Sequence, residues 1–152
     1  MNDFINNIIN NTTFITVLSG VLVYVLSQFV LEGIINPRKK YKQLRERIIY
    51  TITLYCCYYH SPYNLLDEKQ NVRGKEDYEE ASREMRKIGA ELAGYVGTIP
   101  RIRFKKIKKL KEVLGSIIGI SNGFYIVSEK FDIYKANSDC EKLIKKNLKI
   151  KD

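Results

Sequence analysis

An uncharged apolar run near the start of the chain, Phe14 to Leu31, restricts the possible folds more than any other feature. It lies in the segment TFITVLSGVLVYVLSQFVLEGII, which is about as long as the roughly 20 residues that an α-helix needs to cross a bilayer. Because unpaired peptide groups are too costly in hydrocarbon, such a segment must be helical there. The sequence therefore predicts one membrane-spanning helix, within an N-terminal part of residues 1–36 that also holds the preceding tail.

The charges that flank this run predict its orientation. A cleaved signal peptide needs a positively charged start and a small-residue cleavage site, but the only charged side chain before the run is Asp3 and no such site follows. Lys and Arg begin only after the run, at Arg38, Lys39, Lys40 and Lys42, and such residues stay on the cytoplasmic side. We expect a retained single-pass helix with the N-terminus outside and residues 37–152 in the cytoplasm.

Small and polar residues collect on one face of the predicted membrane helix. At about 100° per residue, they fall within an arc of roughly 140°, with Gln28 at its edge. Such residues let helices approach closely and form hydrogen bonds between them, so we predict a homo-oligomer, with a tetramer as the working size. The alternative is that the hydroxyls bond carbonyls of their own helix. The face comprises Thr12, Thr13, Thr16, Ser19, Gly20, Tyr24 and Ser27.

In a sufficiently large oligomer, the same face would line a water-filled pore. Hydroxyl groups suit such a lining, and rings of Val or Leu could close it by dewetting. Glu32, near the predicted cytoplasmic boundary, is the one acid placed to form a ring at the pore mouth. The alternative is an interfacial carboxylate in headgroup water.

Residues 37–152 have apolar residues spaced mostly at three and four, which predicts an all-α cytoplasmic domain. Ser61 to Gly74 is polar and broken by Pro and Gly, as in a loop. The segment FYIVSEKFDIY fits either a helix or a strand, and Ser138 with Glu141 has the spacing of a capping box. The predicted helices are Arg38 to about Tyr59, Glu76 to Val96, Phe104 to about Ser121, and Cys140 to Leu148.

Neither catalysis nor metal binding is indicated. Cys56 and Cys57 beside His60 lack the spaced pairs of ligands that zinc sites use, so we expect buried thiols, with Cys140 also reduced in the cytoplasm. The chain has no phosphate-binding glycine loop and no nucleophile elbow. We predict a protein that is not an enzyme and holds no cofactor.

The net charge of +9 is concentrated after the apolar run, most densely in RIRFKKIKKLK, residues 101–111, which we call the basic stretch. On a helix, Ile102, Phe104, Ile107 and Leu110 would point inward and the cations outward. Like charges on one helix repel, so seven cations without an acid favour a polyanion ligand over a merely solvated face. The predicted ligand residues are Arg101, Arg103, Lys105, Lys106, Lys108, Lys109 and Lys111.

Nucleic acid and the inner leaflet are the two candidate polyanions. Single-stranded nucleic acid needs exposed aromatic rings for stacking, which Phe104 and several tyrosines could supply, although several of these rings are expected in the core. The cluster from Arg38 to Lys42 already satisfies the usual need for anionic lipid. The tyrosines in question are Tyr41, Tyr50, Tyr58, Tyr59 and Tyr63.

Three segments carry a family resemblance: EASREMRKIGAELAGYVGTIP, the basic stretch, and SIIGISNGF. They resemble a broad group of small bacterial proteins with one N-terminal membrane helix, a hinge with proline, a Leu-Arg-x-Leu-Ala-x-Leu helix leading to Ile-Pro, and a late Ile-Gly-Leu-Ser-Asn. The likeness covers Ile34 to Phe124. This chain has Ile99-Pro100 and the sequence Ile118 to Asn122, with conservative departures.

The architecture is also similar to the membrane effector of the Hailong anti-phage system. That resemblance implies an oligomeric channel in the bacterial inner membrane, held shut by a single-stranded DNA oligomer, and a nucleotidyltransferase encoded nearby. We therefore expect a channel whose basic stretch binds an oligonucleotide. The alternative is a tether that conducts nothing and binds nucleic acid, anionic lipid or a protein partner.

Overall fold

The computed structural model describes residues 12–65, 72–126 and 131–150, without the side chains of residues 72 and 73. The chain forms two compact units, Met1–Lys42 and Gln43–Asp152. The described residues are mostly helical, as predicted, and the helices are separated by short connections. The functional boundary that we place after residue 36 stays a prediction.

The first unit contains helix α1, Thr12–Val30, which buries none of its residues. Among the described residues, one helical segment, Thr12–Leu54, is long and apolar enough to cross a membrane. This agrees with the predicted membrane helix in length and composition.

A π-helical turn, Leu31–Ile35, follows α1, and helix α2, Asn36–Leu54, begins directly after it. The amide of Asn36 donates to the carbonyl of Leu31, which is the wide i→i+5 pattern. Pro37 gives a physical reason for this turn, because its ring would crowd the carbonyl of Gly33 in a regular α-helix and it has no N–H to donate there. The predicted place of Pro37 in the first turn of a helix is confirmed.

In the second unit, helical spacing predicts an apolar stripe of Leu44, Ile48, Ile52, Tyr55 and Tyr59, and the first three are buried as predicted. The predicted single helix to Tyr59 is interrupted, however, because Tyr55 leaves the helical conformation and helix α3, Cys56–His60, starts anew. The break accompanies the full burial of the Tyr59 ring.

Helical spacing predicts a buried stripe in helix α4, Val72–Gly97. All of its members are buried except Tyr78, which is half-buried. The stripe comprises Tyr78, Ala81, Met85, Ile88, Leu92 and Tyr95. The start of α4 lies before the predicted Glu76, so Gly74 belongs to the helix rather than to the loop. Strand β1, Tyr63–Asn64, lies in the first part of the predicted loop from Ser61 to Gly74. Residues 66–71 of that loop lie outside the described residues.

A short 3₁₀ turn, Arg101–Arg103, leads into helix α5, Phe104–Asn122. The buried residues of α5 are Leu110, Val113, Ser116, Ile117, Ile120 and Ser121. The apolar side predicted from helical spacing, Ile107, Leu110, Leu114, Ile117 and Ile118, was partly wrong, since Ile118 is exposed and Ile107 and Leu114 are half-buried. Because α5 packs against both α4 and the last helix, its buried face also includes residues outside that predicted side.

Strand β2, Tyr125–Ile126, pairs in parallel with β1, with Tyr125 opposite Tyr63. Helix α6, Ile133–Leu148, then begins well before the predicted Cys140. The capping box was wrong because Asp132 caps this helix, its carboxylate accepting from the Lys135 amide at 3.0 Å. The segment FYIVSEKFDIY, which fits either a helix or a strand by sequence, thus contains both a strand and the start of a helix. Its residues 127–130 lie outside the described residues.

Polar contacts tie the ends of these helices together. The Arg45 Nε of α2 donates to the carbonyl of Leu148 at 2.9 Å, which satisfies an orphan carbonyl at the end of α6. The buried Asn137 amide donates to the carbonyls of Tyr59 and Gly123, both at 2.8 Å. One side chain of α6 therefore holds the end of α3 and the turn between α5 and β2.

Candidate anion-binding site and membrane helix face

The basic stretch begins where α4 ends and Pro100 adopts an extended conformation, with ψ of 138°. The amide of Arg103 donates to the carbonyl of Pro100, which closes the 3₁₀ turn and leads the chain into α5. Six of the seven predicted ligand residues are exposed, and Lys106 is half-buried. The structure thus places the predicted cations along one turn and the first part of one helix.

Two apolar side chains of the basic stretch were predicted to point inward and do not. Ile102 is 87% exposed and Phe104 is 66% exposed, whereas Leu110 is only 2% exposed. The 3₁₀ turn lies outside the α-helical repeat, so Ile102 does not share the buried face. Phe104, six residues before Leu110, is about 120° away from it around the helix. An exposed aromatic ring therefore lies among the cations.

Lys106 differs from the other cations because it also contacts the fold. Its Nζ donates to the hydroxyl of Tyr95 at 3.2 Å and lies 5.5 Å from the centroid of that ring. This position favours the cation both by hydrogen bonding and by attraction to the ring face. Lys106 therefore contributes to packing between α4 and α5 as well as to surface charge.

Acidic groups do not neutralise the rest of the basic stretch. Within the described residues, no carboxylate forms an ion pair with the six exposed cations. Glu112, the acid that follows them in sequence, accepts a hydrogen bond from the Asn147 amide at 3.0 Å. The field at this surface is thus positive and available to an anion.

On α1, the predicted polar face keeps all its members exposed, and a Cβ built on Gly20 meets nothing within 4 Å. Three hydroxyls bond their own helix: Thr16 donates to Thr12 at 2.8 Å, Ser19 to Thr16 at 2.9 Å and Ser27 to Val23 at 2.7 Å. These are the bonds that the intrahelical alternative predicts. They use the hydroxyl protons but leave oxygen lone pairs that can accept from a neighbouring helix.

The tyrosines divide between core and surface. Tyr59 is fully buried and Tyr50 is 66% exposed. The other rings of interest form a chain of contacts that sequence reasoning missed, with centroids 6.0, 4.9, 5.5 and 6.5 Å apart in order. The chain runs Tyr55, Tyr58, Tyr78, Tyr63 and Tyr125, all half-buried.

Beside Tyr125, the second unit contains a cavity of about 360 Å³ that sequence reasoning also missed. Its three cations, Lys75, Arg83 and Arg86, all come from α4. The signal was present in the sequence, because residues 75, 79, 83 and 86 follow helical spacing on one face. The cavity is lined by Leu65, Lys75, Glu79, Ser82, Arg83, Arg86 and Tyr125.

The cysteines correct one further expectation. Cys56 and Cys57 are exposed rather than buried, because α3 turns the Tyr59 ring inward and leaves these thiols on the outer side. Burial raises the pKa of the half-buried Cys140 thiol, and its hydrogen bond with Ser116 partly offsets that effect. His60 Nε2 lies 2.9 Å from Glu141 Oε2, so the nearby histidine contacts a carboxylate of α6.

No family model, curated protein or solved structure matches this chain.

Proposed function

We propose that this protein is a homo-oligomeric membrane effector whose basic stretch binds a single-stranded oligonucleotide. The observation that carries the proposal is the exposed, acid-free basic stretch with Phe104 facing outward among its cations. In this proposal, the polar faces of α1 from several copies surround a pore, and the bound oligonucleotide controls whether that pore is open.

The choice of nucleic acid depends on the combination of charge and ring. Lys and Arg attract phosphates without regard to sequence, and each base stacked on an aromatic ring adds about 1–3 kcal/mol. Phe104 is 66% exposed, so its ring is accessible to a base. The predicted inward orientation would have buried that ring. Single-stranded nucleic acid uses both groups, whereas a double-stranded ligand keeps its bases stacked on one another.

Control of a pore needs a difference in affinity between two states. An oligonucleotide shifts the balance only if it binds the closed and open forms unequally. Cations from several copies, brought together around the pore axis in one state, would provide such a difference.

Ion flux through liposomes that contain the full-length protein tests this proposal. We expect flux that changes when a short single-stranded DNA is added on the side of the basic stretch. If the liposomes show no flux in any condition, the channel is excluded. If the protein fails to bind the DNA, the proposed ligand is wrong.

A charge-reversal variant tests the role of the basic stretch. Lys105→Glu, Lys108→Glu and Lys109→Glu together should abolish the response to DNA, since these side chains are exposed. Lys106 is left unchanged because it bonds Tyr95. The matched control makes the same change in net charge at other exposed lysines, and it should keep the response. Its sites are Lys87, Lys142 and Lys146.

The second candidate is a tether that conducts nothing and holds its partner near the inner leaflet. Two observations favour it: the hydroxyls of Thr16, Ser19 and Ser27 bond their own helix, and Ile102 is 87% exposed beside cations. An apolar side chain among cations suits an anionic membrane surface. Vesicles of phosphatidylserine and phosphatidylcholine distinguish the candidates, since the tether predicts that Ile102→Ser weakens vesicle binding and leaves DNA binding unchanged.

A further inference from the structure

The cavity beside Tyr125 has the dimensions and chemistry of a small-ligand site. Its volume of about 360 Å³ lies within the range of about 300–1,000 Å³ that small-molecule pockets occupy. Three cations, Lys75, Arg83 and Arg86, line it together with one carboxylate, Glu79. The balance of charge therefore favours an anionic ligand.

Neighbouring polar groups orient one of the two guanidinium groups. Arg86 Nε donates to the hydroxyl of Ser121 at 3.1 Å, and its Nη2 donates to Asn122 Oδ1 at 3.4 Å. These bonds use two of the five N–H donors of the group. Ser121 is itself fixed, because its carbonyl accepts from the buried Ser82 hydroxyl at 3.0 Å. The orientation of Arg86 is thus set before any ligand arrives.

Arg83 lies one helical turn before Arg86 on α4. Within the part of the chain that the structure describes, neither arginine forms an ion pair with a carboxylate. The one acid of the cavity, Glu79, instead lies 3.8 Å from Lys75 Nζ. Among the described residues, both guanidinium groups therefore line the cavity without a carboxylate in an ion pair with them.

The remaining wall is aromatic and apolar. The Tyr125 ring lies 6.5 Å from that of Tyr63, and Leu65 completes this side. Burial, followed by the charge of Glu79, raises the pKa of the Tyr125 phenol, while Arg86 and Arg83 act to lower it. The arginines are thus close enough to Tyr125 to influence its charge. A flat ring and two cations bound the same space.

We propose that this cavity binds a phosphate monoester of nucleotide size. Arg83 and Arg86 hold the phosphate through charge-assisted hydrogen bonds, the geometry for which guanidinium is best suited. Tyr125 and Leu65 contact the base, and the Glu79 carboxylate accepts from a sugar hydroxyl. The site is separate from the basic stretch and does not depend on a channel. The phosphate belongs either to a free nucleotide or to the end of an oligonucleotide.

Calorimetry on the full-length protein in detergent tests the proposal. The probes are AMP, adenosine, inorganic phosphate, and a trinucleotide with and without a 5′-phosphate. We expect AMP to bind more tightly than adenosine or inorganic phosphate. This comparison is made in the variant with reversed charge at Lys105, Lys108 and Lys109, so that the basic stretch does not bind the trinucleotide. There, a preference for the 5′-phosphorylated trinucleotide over AMP assigns the site to a chain end, and the reverse preference assigns it to a free nucleotide.

Arg83→Gln is the informative variant, because Arg83 is exposed and removal of its charge should leave the fold intact. We expect AMP to bind about 10- to 100-fold more weakly, as for the loss of one charge-assisted hydrogen bond. Lys87→Gln is the control, since it removes one exposed cation from the same helix outside the cavity. Arg86→Gln is less useful because it also frees Ser121 and Asn122.

Three results would overturn the proposal: no binding of AMP at millimolar concentration, equal affinity for adenosine and AMP, or equal weakening by Arg83→Gln and Lys87→Gln. Equal affinity for inorganic phosphate and AMP would overturn the proposal that the ligand has the size of a nucleotide. The variant with reversed charge at Lys105, Lys108 and Lys109 should bind AMP normally. Loss of DNA binding in that variant therefore tests the basic stretch without testing the cavity.

Discussion

At the scale of single residues, the buried side chain of Asn137 joins two separate parts of the described core. It is 1% exposed, and its amide donates to two carbonyls from different parts of the chain. Each such buried bond contributes modestly, but an unsatisfied buried partner costs about 1–3 kcal/mol. The segment SIIGISNGF thus has a structural role, since its Gly123 is one of the two partners.

Gly123→Ala should destabilise the protein by about 1–3 kcal/mol, because a Cβ at this position would lie 1.9 Å from Asn137 Oδ1. The measurement is thermal unfolding of the purified full-length protein in detergent. Gly115→Ala is the matched control within the preceding helix, where a Cβ meets nothing within 4 Å. That change should stabilise by about 0.5–1 kcal/mol, since glycine is unfavourable inside a helix. Equal effects of the two changes would contradict the packing described.

The three thiols should react at different rates. Cys140 is half-buried and its thiol pKa is raised by burial, so less thiolate is present at a given pH than for an unshifted thiol. We expect iodoacetamide at pH 8 to modify the exposed Cys56 and Cys57 first. A variant with Cys56→Ser and Cys57→Ser isolates Cys140, whose rate should rise as pH is raised further. Equal rates at all three positions would contradict the burial of Cys140.

At the scale of helices and strands, the sequence predicts the type and approximate position of the helices better than their ends. The uncharged apolar run identified α1, and apolar spacing identified α2, α4 and α5, because each of these three buries one consistent face. It did not identify the start of α6, since Asp132 caps that helix without the expected partner three residues on. It also did not identify the pairing of β1 with β2, which depends on residues far apart in sequence.

In the candidate sites, too, the sequence predicted the local features and missed those that depend on tertiary packing. The cations of the basic stretch are local in sequence and were predicted as a group. The outward position of Ile102 was not, because it depends on a 3₁₀ turn that follows Pro100. The cavity was missed since Tyr125 and Leu65 join the α4 cations only through tertiary packing. Periodicity describes one element at a time and cannot show what two elements enclose.

For α1, replacement of Thr16, Gly20 and Ser27 together by Leu separates the channel from the tether. If the polar face lines a pore or packs copies together, flux and oligomer formation should both be lost, because bulky side chains prevent close approach. The control changes the opposite face conservatively, with Leu18→Ile, Leu22→Ile and Val25→Leu, and should keep both. Flux and copy number are measured in liposomes and by crosslinking. Unchanged flux in the polar-face variant would exclude the proposed pore lining.

At the scale of the whole molecule, the net charge of +9 should make oligonucleotide binding depend strongly on salt. The logarithm of the binding constant should fall linearly with the logarithm of salt concentration, by about 0.7 for each phosphate contacted on a single strand. Reversing Lys105, Lys108 and Lys109 should reduce that slope by about 2. Filter binding at several salt concentrations measures it.

Phe104→Ala should act on the same binding in a different way. Loss of stacking should weaken it by about 1–3 kcal/mol per base without changing the salt slope, since no phosphate contact is removed. A change in slope with Phe104→Ala, or none with the lysine variant, would contradict the division of roles between ring and cations.

The π-helical turn at Leu31–Ile35 has a consequence for how chains of this kind can vary. A π-helical turn holds one residue more than an α-helical turn, and here it precedes Pro37. In a regular α-helix, the ring of Pro37 would clash with the carbonyl of Gly33. The extra residue and the proline therefore depend on each other. A descendant that lost the proline would no longer need the extra residue, so the two should disappear together, as a substitution at position 37 accompanied by a deletion of one residue just before it.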